Sequence, residues 1–429
     1  MGSLGYVLLV FFGLFALRLP IAVVLIASTI VGLLLAPAQI PLATLPTTLW
    51  HGVNHFVLMA IPFFILMGDL ALASGVTKRL VDLTKAFVGH IAGGLAHVSV
   101  LVNMVMAGMS GSDLADAAAT GKLLIPAMQR SGYPTGYAAS IIAGAAMIGP
   151  LIPPSIAFII FAAATDTSVG RLFLGGAIPG VMLGVFLMLQ AYFVARRNGY
   201  PREPRMPYRE RVRATALGLP VLAIPVIVLG SILAGVATPT EAAVLGVLGV
   251  IIIGALYREL SVAVFARQCL ATIRTIGAVF LIIAAAAAFG RVLTLYGAAE
   301  SLAQWMTGLT TNPLLFLLGA NVVFLLLGGM IDTVPILLVF VPLLMPTVAA
   351  LGIDTVHFGV ITVFNLLVGL VTPPYGLTMY LLCRLSGIGM LEFWRYQWPI
   401  FLTMLFALGL VTVFPWLTTY LPDLVMPVR

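Results

Sequence analysis

The sequence predicts an all-α polytopic membrane protein made of two copies of one unit, the second inverted relative to the first. Three observations predict this. The 429 residues are 62% hydrophobic and only 8% charged, whereas a soluble domain carries about 25% charged residues. The apolar residues fall into successive runs of the length that crosses a bilayer as helix, roughly 20 residues, without the alternating segments of a transmembrane barrel. A set of glycines and prolines also recurs at one constant spacing, the one that separates Pro126 from Pro346.

Taken along the chain, residues 4–17, 20–36 and 53–74 read as spans, and a re-entrant helical hairpin follows at about 92–127. A broken span at 136–165 and a span at 172–195 complete a first repeat, 1–195. Residues 196–213 form a basic linker. The second repeat, 214–429, has spans at 214–234, 240–257 and 275–295, a re-entrant hairpin at about 312–347, a broken span at 355–382 and a last span at 397–416. Residues 78–90 and 261–274 read as interfacial amphipathic helices at matching points of the two halves. No basic segment precedes residues 4–17, so no cleavable signal is expected. Cys269 and Cys383 supply neither a disulfide framework nor a metal site, and the five histidines show no metal spacing.

The linker, RRNGYPREPRMPYRERVR, holds seven arginines and two glutamates and is assigned to the cytoplasm by the positive-inside rule. Every other basic residue except Arg171, Arg291 and Arg429 then falls on the same side, and both termini fall outside. The net charge of +7 is thus a topology signal and not a nucleic-acid footprint.

The repeat rests on residues that fix backbone geometry. Gly108, Pro126, Gly132, Gly149, Pro153, Pro154 and Pro179 match Gly328, Pro346, Gly352, Gly369, Pro373, Pro374 and Pro399, every pair at the same offset. More weakly, 19–35 resembles 238–256. Five crossings plus a hairpin per copy is an odd number, so the second copy is expected upside down. Inverted repeats with paired broken helices are the architecture of secondary transporters.

The breaks carry the chemistry. GPLIPPS (149–155) and GLVTPPY (369–375) interrupt apolar runs where backbone groups have no water to turn to. Two tips accompany them: Ser110-Gly111-Ser112-Asp113 in the first hairpin, and Gly328-Gly329 through Asp332-Thr333 in the second. A tip beside a break frees carbonyl oxygens for a hard cation such as Na⁺ and directs half-helix N-termini at an anion. Ser110, Ser112, Thr333 and Thr372 add hydroxyls. Asp113 and Asp332 add charge, since intramembrane carboxylates are costly and functional, or they cap the outward helices. Asp116 reads as structural. Arg291 meets a substrate carboxylate, pairs with an acid, or snorkels to the outer interface. An aspartyl protease dyad of Asp113 and Asp332 leaves the symmetry unexplained. A channel is disfavoured by the missing ring of pore charges.

The stretches AIPFFILMGDLALASGV (60–76), MAGMSGSDLADAAATGKLLIPAM (106–128), GYPTGYAASIIAGAAMIGPLIPPSIAFIIFA (132–162), GVATPTEAAVLGVLG (235–249) and NLLVGLVTPPYGLTMYLL (365–382) resemble the large membrane subunit, DctM-like, of tripartite ATP-independent periplasmic (TRAP) transporters. The resemblance implies a non-enzymatic, Na⁺-coupled importer of an organic acid in the bacterial inner membrane. C4-dicarboxylates, keto acids, sialic acids and sugar acids are all admissible substrates. It implies a periplasmic substrate-binding protein and a small four-helix membrane subunit as partners. Because the chain starts at the first span, that subunit is expected on a separate chain. It implies a scaffold, an elevator-type transport domain, and no cofactor beyond Na⁺ as coupling ion. An anion transporter of the same fold, Na⁺- or H⁺-coupled and working without a binding protein, is the alternative. Carried over by position, one sodium site involves Ser110, Ser112, Asp113, Gly149, Ile152 and Pro154. The other involves Gly329, Asp332, Thr333, Gly369, Thr372 and Pro374. Substrate contacts fall to Ser110, Gly111, Ser155, Thr333, Tyr375 and Arg291.

Overall fold

The computed structural model describes residues 3–36 and 40–427. Arg429, one of the basic residues placed outside, and the first two residues lie beyond them. The described residues form helices joined by short turns. In the first half, α1 (Ser3–Ala16) and α2 (Ile21–Leu34) are an antiparallel pair, α2 starting after Pro20. α3 (Thr44–Val53) follows, then a 3₁₀ turn (Phe56–Met59) that leads into α4 (Ala60–Ala73). Left-handed Gly75 turns the chain into α5 (Val76–Val88), which buries Val76, Leu80 and Leu83 on one face. Then come α6 (Gly94–Ser110), α7 (Asp113–Arg130), α8 (Thr135–Ala146), α9 (Ile156–Thr165) and α10 (Val169–Asn198), which ends at left-handed Gly199.

After the linker come α11 (Tyr208–Leu233), α12 (Pro239–Leu256) and α13 (Val262–Leu295). α12 opens on a capping box between Thr238 and Glu241. α14 (Ala298–Leu309), α15 (Pro313–Gly328), α16 (Thr333–Ala350), α17 (Thr355–Leu370), α18 (Leu377–Ser386), α19 (Met390–Val413) and α20 (Trp416–Val425) complete the chain. Seven helical segments among the described residues, including those holding α4, α10, α11, α12, α13 and α19, are long and apolar enough to cross a bilayer. The chain is a multi-pass helical membrane protein.

Three expectations change. Residues 261–274 are not a separate interfacial helix: they are the first turns of α13, which runs unbroken for 34 residues. Arg267 and Arg274 lower the local hydropathy, but both are exposed and leave the ladder intact. The helix at the matching point to α5 is instead α14, while α5 itself agrees with 78–90 to within two residues. Finally, α3, α14 and α20 stand where no helix is expected from the apolar runs.

At the centre lie α8 and α17. Every residue from 136 to 146 is buried, as is every residue from 356 to 370. A helix apolar all round is stable only when covered all round. Much of the covering comes crosswise. α8 packs on α19 while α17 packs on α10; α7 packs on α18 while α16 packs on α9; α2 packs on α13 while α12 packs on α4. Ser140 of α8 donates to the Phe393 carbonyl of α19 at 3.0 Å. α7 and α16 begin at Asp113 and Thr333, and α8 and α17 at Thr135 and Thr355. Both pairs keep the offset of Pro126 and Pro346.

Gly175 shows how tight this is. A methyl group built on it would sit 2.7 Å from Val356 Cγ1 and 2.9 Å from the Thr418 carbonyl. Overpacking of this kind costs about 1–3 kcal/mol. Gly175→Leu is expected to lower the melting temperature in detergent by several degrees. Gly409→Leu, whose side chain meets open space, should leave it unchanged or raise it.

Candidate functional site

Two loops and two breaks meet at the ends of the central helices. The first loop joins α6 to α7. Gly111 adopts φ +58°, a left-handed conformation that favours glycine. A Cβ there would lie 2.6 Å from the Pro154 carbonyl oxygen, so loop and break touch backbone to backbone. Ser112 caps α7, its Oγ accepting from the Ala115 N–H at 3.4 Å.

The break that Gly111 touches, GPLIPPS, separates α8 from α9. Proline has no N–H to give a ladder, and both Pro153-Pro154 and Pro373-Pro374 are cis. Among the described residues, no backbone or side-chain donor reaches the carbonyls of residues 149–154. Pro153 and Pro154 are buried. Carbonyl oxygens left unpaired in the protein interior are groups of the kind that could ligate a cation, since such groups are otherwise satisfied.

Beside it stands Asp116, fully buried. Its Oδ1 accepts from Ser110 Oγ at 2.6 Å. Its Oδ2 has no partner and lies against Gly149, where a Cβ would come within 2.6 Å of it. Asp116 is therefore the carboxylate that faces the first break. Sequence reasoning set it aside as structural, although the signal, a second carboxylate one turn after Asp113, was present. Asp113 is turned elsewhere: its Oδ2 accepts from Thr378 Oγ1 of α18 at 2.6 Å. Asp113 is not the cap of α7, which is Ser112. Thr378 had no sequence signal at all, being far away along the chain in the other half.

The second loop joins α15 to α16. Asp332 caps α16, accepting from the Thr333 N–H at 2.7 Å. The Thr333 hydroxyl is buried and unpartnered. The loop meets its break through glycines: a Cβ on Gly369 would lie 2.5 Å from the Gly328 carbonyl carbon and 2.9 Å from the Gly329 nitrogen. The Gly329 carbonyl accepts from the Tyr375 N–H at 3.0 Å. In this break the carbonyls of Leu370, Val371, Pro373 and Pro374 receive no donor among the described residues. The Asp113–Thr378 bond ties the first loop to the helix that follows the second break, so the two loops share one neighbourhood.

The two junctions differ. The first break is buried, whereas Pro373, Pro374 and Tyr375 are exposed, with the Tyr375 ring 6.1 Å from that of Tyr380. Three expected residues are occupied differently. Ser155 is fully buried and caps α9, its Oγ accepting from the Phe158 N–H at 3.2 Å. The Thr372 hydroxyl donates back to Val368 at 2.7 Å. Ile152 packs on Gly180. Arg291 is not at the loops: it is exposed and lines a separate cavity of about 480 Å³ with Thr48, His51 and Gly52.

Both junctions depend on glycine. Gly111→Ala and Gly369→Ala should each lower the melting temperature, because the new methyl meets backbone that cannot yield; left-handed strain at Gly111 alone costs about 1–2 kcal/mol. Gly290→Ala, with open space around it, should not.

Residues 8–417 match the family described as the DctM component of the tripartite ATP-independent periplasmic transporter. The chain is similar to the C4-dicarboxylate TRAP transporter large permease protein DctM of Pseudomonas aeruginosa, at 39% identity over 89% of each chain. It is also similar to the sialic acid TRAP transporter large permease protein SiaM of Vibrio cholerae, at 37% identity over 87% of this chain and 88% of that one. Among solved structures, the YdaH transporter of Alcanivorax borkumensis superposes with a TM-score of 0.65 over 89% of each chain, at 17% identity, a likeness of fold.

Proposed function

The chain belongs to the DctM family of tripartite ATP-independent periplasmic transporters, and from that premise we propose that it is the large permease of a Na⁺-coupled importer of an organic acid anion. It is a transport protein and not an enzyme. The observation that carries the coupling is the pair of loop–break junctions, each with unpaired carbonyls and a carboxylate beside them. Na⁺ is a hard cation that exchanges its water for oxygen ligands. The carbonyls of 149–154 with Asp116 and Ser110 form one candidate site. Those of Leu370, Val371, Pro373 and Pro374 with Asp332 and Thr333 form the other. The first is the more enclosed, and the second, with its exposed Tyr375, opens toward the substrate.

The same junctions attract an anion. α7 and α16 start at the two loops, and each presents the positive end of its dipole there. Bound Na⁺ at both sites offsets the substrate's charge and draws each loop onto its break. The two halves, 1–195 and 214–429, joined by the linker 196–213, are inverted repeats in this reading. The crosswise pairs α7–α18 and α16–α9 support it, as expected of a two-fold relation in the membrane plane. A scaffold of α1–α5 and α11–α14 then carries a transport domain of α6–α10 and α15–α20, which slides past it as an elevator. The partners are a periplasmic binding protein that delivers the anion and a small membrane subunit. The location is the bacterial inner membrane, with the linker and most basic residues cytoplasmic and both termini periplasmic. The substrates in the names of the relatives, C4-dicarboxylate and sialic acid, are the first to test.

Uptake into proteoliposomes, with the cognate binding protein outside, should require an inward Na⁺ gradient; equal uptake with K⁺ in its place would reject the coupling. Hydrogen bonds and ligation by a charged group are worth about 1.5–3 kcal/mol. Asp116→Asn and Asp332→Ala should therefore each raise the Na⁺ concentration for half-maximal uptake roughly tenfold or more. Unchanged Na⁺ activation would remove the substituted residue from the site.

A further inference from the structure

The basic linker does more than mark a side of the membrane. Residues 199–207 connect α10 to α11 without helix, yet they are held to the protein at several points. The Tyr200 ring lies 5.1 Å from those of Tyr133 and Tyr137. Tyr133 donates to the Pro201 carbonyl at 3.2 Å. Glu203 is tied three ways: its N–H donates to the Gly89 carbonyl at 3.3 Å, its carboxylate accepts from Ser131 at 3.0 Å, and it pairs with Lys85 at 3.2 Å. These contacts fix the linker across the end of α5 and consume its first carboxylate.

Directly beyond lies a cavity of about 230 Å³ lined by Ala86, His90, Arg205, Met206 and Arg211. Three of the five lining side chains are basic and none is acidic. Asp82 and Glu210 line a neighbouring cavity with Arg79 and Arg213 instead. Among the described residues, Arg205 and Arg211 have no carboxylate within salt-bridge distance. Two like charges brought to one concave site, with their acids directed elsewhere, leave a deficit that an anion removes. Paired guanidinium forks match the oxygens of a phosphate group. Apolar neighbours of the lining residues are exposed: Phe87, next to Ala86 on α5, is 51% exposed, and Val212, next to Arg211 on α11, is 49% exposed, with Leu219 two turns further along α11 at 58%. α11 is one of the helices long and apolar enough to cross a bilayer. A headgroup in the cavity can run its chains down that face.

We propose that the cavity between α5, the linker and the start of α11 is a phosphate-binding site, formed by Arg205, Arg211 and His90, and that it takes the headgroup of an anionic phospholipid. The bound phosphate clamps the linker between the two halves onto α5. Basic pockets beside membrane helices are suited to this chemistry. The site stands independently of the Na⁺-coupling reading.

The test titrates delipidated full-length protein in detergent with phosphatidylglycerol, phosphatidylcholine or inorganic phosphate, and follows the melting temperature. Phosphatidylglycerol should raise it saturably and phosphatidylcholine should not. At about 1 kcal/mol per arginine, Arg205→Gln/Arg211→Gln should need roughly tenfold or more lipid for half the shift. Arg202→Gln/Arg209→Gln removes the same charge from the same stretch outside the cavity and should respond like the parent. A saturable shift with inorganic phosphate that Arg205→Gln/Arg211→Gln loses would support the site and overturn its assignment to lipid. No response to any phosphate, an undiminished response in Arg205→Gln/Arg211→Gln, or equal losses in both double variants would overturn the proposal.

Discussion

A backbone carbonyl inside a membrane protein needs a partner, and the structure depends on where it denies one. Each Pro-Pro pair removes two N–H donors just past the end of a helix that is covered all round, and the neighbouring carbonyls are left open. In water such a break would be trivial. Here it is kept in place by the loop that docks on it, Gly111 on the Pro154 carbonyl and Gly369 on Gly328. The contact is backbone on backbone, and a side chain at either glycine would separate the two. Burial of the first break, the choice of glycine at the loops and the carboxylates beside them all follow from this one constraint. In the proposed mechanism the missing partner is supplied by Na⁺, which then ties the loop to the break.

Such a junction needs a platform that does not yield. α8 and α17 provide it, being covered by helices of both halves. Ser140 reaches the Phe393 carbonyl, and Asn365 of α17 donates to Asn321 of α15 at 2.8 Å, which in turn donates to Thr412 of α19 at 2.9 Å. These polar ties lie among apolar side chains, where they are directional as the packing is not. Each half thus helps to position the junction of the other. The Asp113–Thr378 bond does the same at the site itself, joining the first loop to the helix that follows the second break.

Much of the fold was legible because its signals are local. Pro, Gly and apolar run length set the breaks, the loops and most spans, and the constant offset between the halves tied them into pairs. The helix pair α6 and α7 fills the stretch 92–127, and α15 and α16 fill 312–347, to within three residues. What escaped was set by contacts between distant segments. Thr378 becomes a partner of Asp113 only once α7 lies on α18. Asp116 becomes the carboxylate of the first break only because Gly149 comes against it. Ser155 becomes the cap of α9 only once the chain resumes as helix after its prolines. The apolar runs divide α13 because its arginines interrupt the hydropathy, although they point outward and the helix continues. Arg291 carried a suggestive charge in an apolar run, and only the packing of α3 on α13 removes it from the loops.

The central claim is that the loop–break junctions bind Na⁺, and direct binding of ²²Na⁺ to the purified protein tests it without transport, substrate or partners. The account predicts saturable binding that Asp116→Asn and Asp332→Ala each reduce in part and together abolish, because each acts at its own junction. Binding that persists undiminished in the double variant, or no specific binding to the parent protein, would contradict it.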